Sequence, residues 1–203
     1  MRTRLTVLAL VMVFAGVSLV HAQGIKYGVG AGLNVFTGDA AKAINMTDPG
    51  SGGFGFTAEP AIGVKAKFSL PLMPLSIAAH LNYTMMSSSA EALGNKLEIE
   101  TNMLTVGLGG EFSLIPGPLS PYLAADLLYN SNGKREAKLN DQLLYEEDGE
   151  SRFGLGIGVG VTFSLLPMID LDVSAKYNFN NVFGKEDDEI DVNTIMIQAF
   201  VLF

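Results

Sequence analysis

Beyond residue 22 the chain carries a single histidine, His80. Acyl transfer or hydrolysis by a nucleophilic centre combines a histidine with a hydroxyl and a carboxylate, because the imidazole must take the hydroxyl proton while a third group orients it. Ser76 and Thr84 share the side-chain parity of His80 but lie four residues away on either side, too far along an extended strand for a hydrogen bond. A neighbouring strand could supply Glu59 or Glu111 as the carboxylate. Without a local nucleophile, His80 reads as a hydrogen-bonded residue filling an interior.

Other groupings are weaker still as chemical centres. The glycine runs over Gly28–Gly32 and Gly154–Gly160 lack the spacing of a dinucleotide fingerprint, and no helical pattern follows either. The run Lys185-Glu186-Asp187-Asp188-Glu189 offers oxygen ligands but not the spaced ligands and turn glycine of a calcium loop, so it reads as a solvated loop face. Residues 131–150 mix Lys134, Arg135 and Lys138 with Glu146, Glu147 and Asp148, which suits a partner-binding surface or a strand extension. No catalytic, cofactor-binding or metal-ligating set emerges.

Composition narrows the class. Among 203 residues there are 13 Lys plus Arg, 21 Asp plus Glu and no cysteine. Disulfide frameworks and thiolate zinc sites are therefore excluded. A pI near 4.7 leaves no basic face to neutralise phosphates, which argues against a nucleic-acid partner. A mean hydropathy of +0.31 is too high for a disordered chain.

The first segment reads as an address. Arg2 and Arg4 precede an apolar run over residues 5–20, followed by Val20-His21-Ala22. A basic start, a short apolar stretch and a small residue before the cut describe a secretory signal peptide spanning 1–22. The run is too short for a spanning helix, which needs about 20 residues.

Residues 23–203 repeat with period two. In the clearest stretch Phe153, Leu155, Ile157, Val159, Val161 and Phe163 alternate with Gly154, Gly156, Gly158, Gly160 and Thr162. Successive strand side chains point to opposite faces, so this is a strand with one apolar and one slim polar face. The same alternation begins near Ile25, Gly53, Ser76, Met103 and Asp170. Two further stretches, near 122–130 and 194–203, are weaker because Leu128, Met196, Phe200 and Leu202 fall on the polar parity. Eight strands result. Short proline-bearing connections at 71–74, 115–118 and 166–168 alternate with long polar ones at 37–52, 87–96, 131–150 and 184–191. Phe-Ser-Leu recurs at Phe68, Phe112 and Phe163, each time just before a proline, so the repeating unit is a hairpin.

The apolar faces point outward on this reading. A soluble sheet wets a face rich in Lys and Glu, whereas the polar faces here are rich in glycine. Aromatic residues gather at both ends of the apolar rows. Phe68, Phe112, Phe163 and Phe203 mark the short-turn end, and Phe36, Phe54, Phe56, Tyr83, Tyr129, Phe153, Tyr177 and Phe179 the long-loop end. Two aromatic girdles around an apolar band describe a transmembrane β-barrel, and the glycines relieve crowding in a lumen that eight strands leave only wide enough for side chains. Lys26, Glu59, Lys65, Lys67, His80, Glu111, Asp126, Arg152, Asp172 and Lys176 would then pair across that lumen. Pro60, lacking an N–H in mid-strand, predicts a local bulge.

This pattern resembles the small outer-membrane barrel family typified by OmpX and the barrel domain of OmpA. The resemblance implies an all-β, eight-stranded antiparallel up-and-down barrel in the bacterial outer membrane, with outer-membrane lipid around it. It further implies both termini in the periplasm, four long loops outside the cell, and insertion by the barrel-assembly machinery. The segment from Ile195 to Phe203 looks like the family's assembly signal, with its terminal Phe203. Since no residues follow Phe203, no peptidoglycan-binding domain of the OmpA kind is expected. The expected role is a non-enzymatic surface or structural one through exposed loops. A narrow channel for ions or small solutes is the alternative, and a lipid-modifying barrel enzyme centred on His80, like the deacylases and palmitoyl transferases of that membrane, is a second.

Overall fold

The computed structural model describes residues 24–42, 55–92, 95–140, 142–166, 168–184 and 190–203. The expected signal peptide, Phe54 and the acidic run at 185–189 lie outside the described residues. The alternating stretches form strands β1 (Ile25–Thr37), β2 (Ala58–Ser69), β3 (Leu75–Ala92), β4 (Asn95–Ser113) and β5 (Leu119–Asn132). They continue as β6 (Arg135–Leu139), β7 (Gln142–Glu147), β8 (Ser151–Leu166), β9 (Ile169–Phe183) and β10 (Asn193–Leu202).

Every pairing is antiparallel, and the circuit β1-β2-β3-β4-β5-β8-β9-β10 closes where β10 pairs back onto β1. Closure removes the unpaired edges that hydrocarbon could not satisfy. Following partners around the wall from Lys26 through Lys67, Ala78, Gly109, Asp126, Gly156, Asn178 and Thr194 returns to Phe36, ten residues up the same strand. That stagger tilts the strands and fixes the narrow bore expected of eight strands.

Alternation decides what each face meets. Val29, Ile62, Leu108, Ile157, Val159 and Ile197 are exposed on the outer wall, while Lys65, Asp172, Lys176 and Gln198 are buried in the bore. The residues that interrupt the polar parity, Leu128, Met196, Phe200 and Leu202, are also buried there. They fill the bore instead of breaking the strands. Glycines on this parity let strands and side chains approach. A Cβ on Gly28 would sit 1.8 Å from the carbonyl oxygen of Val201 on β10.

Three expectations need correction. Pro60 sits opposite Leu33 in unbroken register, and the β2–β3 ladder begins only at Ala61. Its missing N–H therefore falls where no partner strand asks for it, and no bulge forms. Phe36 and Phe56 are not in the outer girdle. They are buried, with ring centroids 5.5 Å apart, and pack with Ala40, Met86 and Met103 in an apolar cluster at the long-loop end. Finally, two connections read as loops are largely strand. The β3–β4 ladder runs to Ala92 opposite Asn95, and residues 131–150 contain β6 and β7. Beyond Thr84 and Met103 the ladders to β2 and β5 have ended, so β3 and β4 continue as a ribbon that β6 and β7 widen into a four-stranded flap.

Candidate functional site

The bore is organised around two lysines and two carboxylates. Lys65 Nζ lies 2.6 Å from Glu111 Oε1 and 2.8 Å from Asp172 Oδ1. Lys67 Nζ lies 2.8 Å from Glu111 Oε2 and 3.7 Å from Asp172 Oδ2. Both lysines come from β2, Glu111 from β4 and Asp172 from β9, so the contacts span the bore. The carboxylate of Asp172 also accepts the Tyr122 hydroxyl at 2.9 Å and the Thr162 hydroxyl at 3.1 Å. Lys65 and Lys67 stand over the Tyr122 ring at 5.5 and 4.8 Å from its centroid. Two positive and two negative groups cancel, which is the condition for keeping charges out of water.

A second pair lies nearby, Lys176 Nζ to Asp126 Oδ2 at 2.6 Å, again fully buried. Toward the loops the charges give way to amides and hydroxyls. Asn34 donates to Thr84 at 2.6 Å, Thr105 to Asn130 at 2.7 Å, and Asn130 to the Asn180 carbonyl at 2.8 Å. Above these sits the Phe36–Phe56 cluster. Ionic layer, amide layer and apolar layer follow one another along the bore.

The other expected lumen residues stand apart. Lys26 pairs with Asp170 at the short-turn rim and remains partly exposed. Glu59 accepts the backbone N–H groups of Thr57 at 3.4 Å and Ser87 at 3.3 Å near the loop end. Arg152 pairs with Glu150 at the start of β8, which begins at Ser151, with its side chain only 12% exposed. Tyr122 and Thr162 were not singled out from the sequence, although Tyr122 shares the inward parity of Asp126 on the same strand.

His80 is buried on β3, opposite Lys65 on one side and Gly107 on the other. Its ring lies over Gly107, where a Cβ would come within 2.0 Å of Nε2. The two nearby hydroxyls are otherwise engaged, Ser76 with Ser69 at 3.1 Å and Thr84 with Asn34. The carboxylates of Glu59 and Glu111 are bound as described above. No hydroxyl and carboxylate converge on the imidazole among the described residues.

The flap is the second feature. β6 pairs with β4 from Leu97–Leu139 to Glu100–Glu136, and β7 pairs with β6. Asn140, in a left-handed conformation at φ 49°, ties the β6–β7 turn down by donating to Asn95 at 3.0 Å and accepting the Lys96 N–H at 2.9 Å. Cross-strand ion pairs join Arg135 to Glu147 at 3.0 Å, Lys134 to Glu146 and Lys138 to Glu100. Hydrogen bonds donated to the carboxylates of Glu146 and Glu100 hold the Lys134 and Lys138 ammonium groups above their ordinary pKa. Leu143, Leu144 and Tyr145 are exposed on the edge strand β7.

The fold has known counterparts. Neisserial surface protein A matches at 17% identity, covering 88% of this chain and 96% of that one, with a TM-score of 0.58. The Ail attachment invasion locus protein of Yersinia pestis, solved with the heparin analogue sucrose octasulfate, matches at 16% identity over 88% and 99% of the two chains, TM-score 0.51. A major outer membrane protein from Thermus thermophilus matches at 15% identity over 88% and 99%, TM-score 0.53. No curated protein sequence matches the chain. The model of the outer membrane protein beta-barrel domain family matches residues 6–202. With a closed eight-stranded wall, an apolar exterior and an ionic interior already in place, this chain belongs to the outer membrane protein beta-barrel domain family and resides in the bacterial outer membrane.

Proposed function

We propose that the protein is a sealed, non-enzymatic scaffold of the cell surface, whose barrel anchors the β3-β4-β6-β7 flap and the other long connections outside the cell. The observation that carries this reading is the bore itself. Lys65, Lys67, Glu111, Asp172 and Tyr122 form a neutral layer across it, followed by the apolar cluster of Phe36, Phe56, Met86 and Met103. A solute would have to break buried ion pairs and then cross an apolar constriction. The barrel is then a passive anchor, and recognition falls to the exposed strands and connections. On the same reading residues 1–22 are removed as a signal peptide, and Phe203 is presented to the assembly machinery.

Purified protein in planar lipid bilayers tests the proposal. The expected record has no steady single-channel openings. Sustained stepwise openings would assign transport instead.

A further inference from the structure

The ladder between β8 and β9 breaks register at one place on the outer wall. Phe179 lies opposite Leu155, so a regular ladder would set Asn181 opposite Phe153 and turn its amide toward hydrocarbon. Instead β8 advances two residues, from Leu155 to Phe153, while β9 advances four, from Phe179 to Phe183. A bulge of this kind bends its strand. Here it leaves Asn181 buried, with its amide donating to the Ile190 carbonyl at 2.7 Å and accepting the Val192 N–H at 3.0 Å. Hydrocarbon offers an amide neither partner.

Beside this excursion the wall carries a groove of about 440 Å³. Its sides are Val106 and Leu108 of β4, Leu127 and Tyr129 of β5, Phe153 of β8 and Phe183 of β9, all exposed on the wall. Its floor is main chain. Leu128 and Gly154 are partners across β5 and β8, Leu128 is buried in the bore and Gly154 has no side chain. The β4–β5 and β5–β8 ladders run without a break beneath the groove, so the backbone there is paired. The Tyr129 and Phe153 rings, 5.2 Å apart, stiffen one side. Apart from the Tyr129 hydroxyl the lining holds no polar side-chain group.

The groove lies between the row of Tyr129 and Phe153 and the row of Leu108 and Leu127, on the band side of the aromatic ring at the long-loop end. It is therefore continuous with the lipid-facing wall. Lipid tails are as apolar as leucine, so no hydrophobic gain draws a chain into it. Packing does. A concavity without atoms in it forfeits dispersion contacts on its sides and floor, and a chain lying in it gains them together. Its volume is at the lower end of small-molecule sites, roughly 300–1,000 Å³, which suits one chain and no headgroup.

We propose that this groove is a binding site for one acyl chain of a membrane lipid, in the leaflet at the long-loop end. The bulge at Asn181 serves two ends at once, hiding an amide from hydrocarbon and opening the wall to a chain. A lipid held there completes the outer surface of β4, β5, β8 and β9.

The chain has no tryptophan, so a single introduced one reports its own surroundings. Phe153→Trp places the reporter in the side of the groove, and Leu33→Trp places it on β1, on the lipid-facing wall away from the groove. Each full-length variant is folded in micelles of a short-chain detergent, octyl glucoside, and titrated with acyl-brominated phosphatidylcholine. Quenching is expressed against each variant's own limit, which removes differences in depth. A groove that retains a long chain over a short one predicts half-maximal quenching of Phe153→Trp at about threefold lower lipid fraction than Leu33→Trp, the return on a handful of extra dispersion contacts. Adding Val106→Phe, which fills the groove, should move the Phe153→Trp curve onto that of Leu33→Trp. Coincident curves for the two reporters, or a Phe153→Trp curve unmoved by Val106→Phe, would overturn the site. If brominated lipid quenched neither reporter, the lipid-facing placement of the wall would fail and the site with it.

Discussion

Lys65 on β2 and Asp172 on β9 are 107 residues apart in the chain and meet at 2.8 Å inside the barrel. Neither charge is in contact with water, and each touches a second partner of opposite sign, Glu111 for the lysine and Lys67 for the carboxylate. Strands that are not neighbours in the wall are thereby joined through its interior. The wall supplies closure and the ion pairs supply a fixed cross-section.

Removing one member of this network should be worse than removing a matched pair. Asp172→Asn leaves Lys65 and Lys67 with one carboxylate between them, an expected loss of about 3–5 kcal/mol. The double variant Lys65→Met with Asp172→Leu keeps the Lys67–Glu111 pair and removes one charge of each sign. Its loss should fall well short of the sum of the two single losses, as measured by denaturant unfolding from lipid vesicles.

Glycines of opposite parity should respond oppositely to a methyl group. Gly28 faces the closing seam, where a Cβ would lie 1.8 Å from backbone oxygen of Val201, so Gly28→Ala must push β1 from β10. A loss of about 1–3 kcal/mol is expected. At Gly110, on the outer wall, the added atom meets only Leu75 Cδ1 at 3.6 Å. Gly110→Ala should be stabilising by about 0.4–1 kcal/mol through the unfolded chain. The same unfolding measurement reads both.

His80→Ala should leave lipid chemistry untouched. The imidazole is enclosed between Lys65 and Gly107, with Ser76 and Thr84 bonded elsewhere. Mass spectrometry of lipid A and phospholipid acyl chains from cells with and without the variant is expected to give the same profile. Loss of an acylation or deacylation product would restore the enzyme reading.

Much of this was readable from alternation. The parity of Val159 against Gly158, or Asp172 against Val173, separates wall from bore without any coordinates. Even the apparent violations at Met196 and Phe200 keep their parity and fill space. What alternation could not supply was contact between strands far apart in sequence. Lys65 and Asp172 were both placed inward, but their meeting depends on the register accumulated around the whole barrel. The flap is illegible in the sequence for a different reason. Above Thr84, β3 reads Met85-Met86-Ser87-Ser88-Ser89-Ala90, which carries no sustained apolar row, so nothing in the pattern distinguishes a paired ribbon from a loop. Phe36 and Phe56 are ambiguous in the sequence because an aromatic near a strand end suits either a girdle or an interior cap. For Phe36 the shared parity with Gly28, Gly30 and Asn34 pointed inward.

The reversed solvent of the two faces is the physical basis of the whole account. Val159 on the wall and Tyr145 on the flap are equally exposed, both at 56%. Equal exposure hides different surroundings, hydrocarbon for Val159 on the barrel wall and water for Tyr145 on the flap. Unfolding free energies of Val159→Arg and Tyr145→Arg from lipid vesicles test this most directly. Val159→Arg is expected to lose about 2–4 kcal/mol, the cost of a cation near the bilayer midplane, while Tyr145→Arg stays within about 0.5 kcal/mol of the parent protein. Equal tolerance of arginine at the two positions would contradict it.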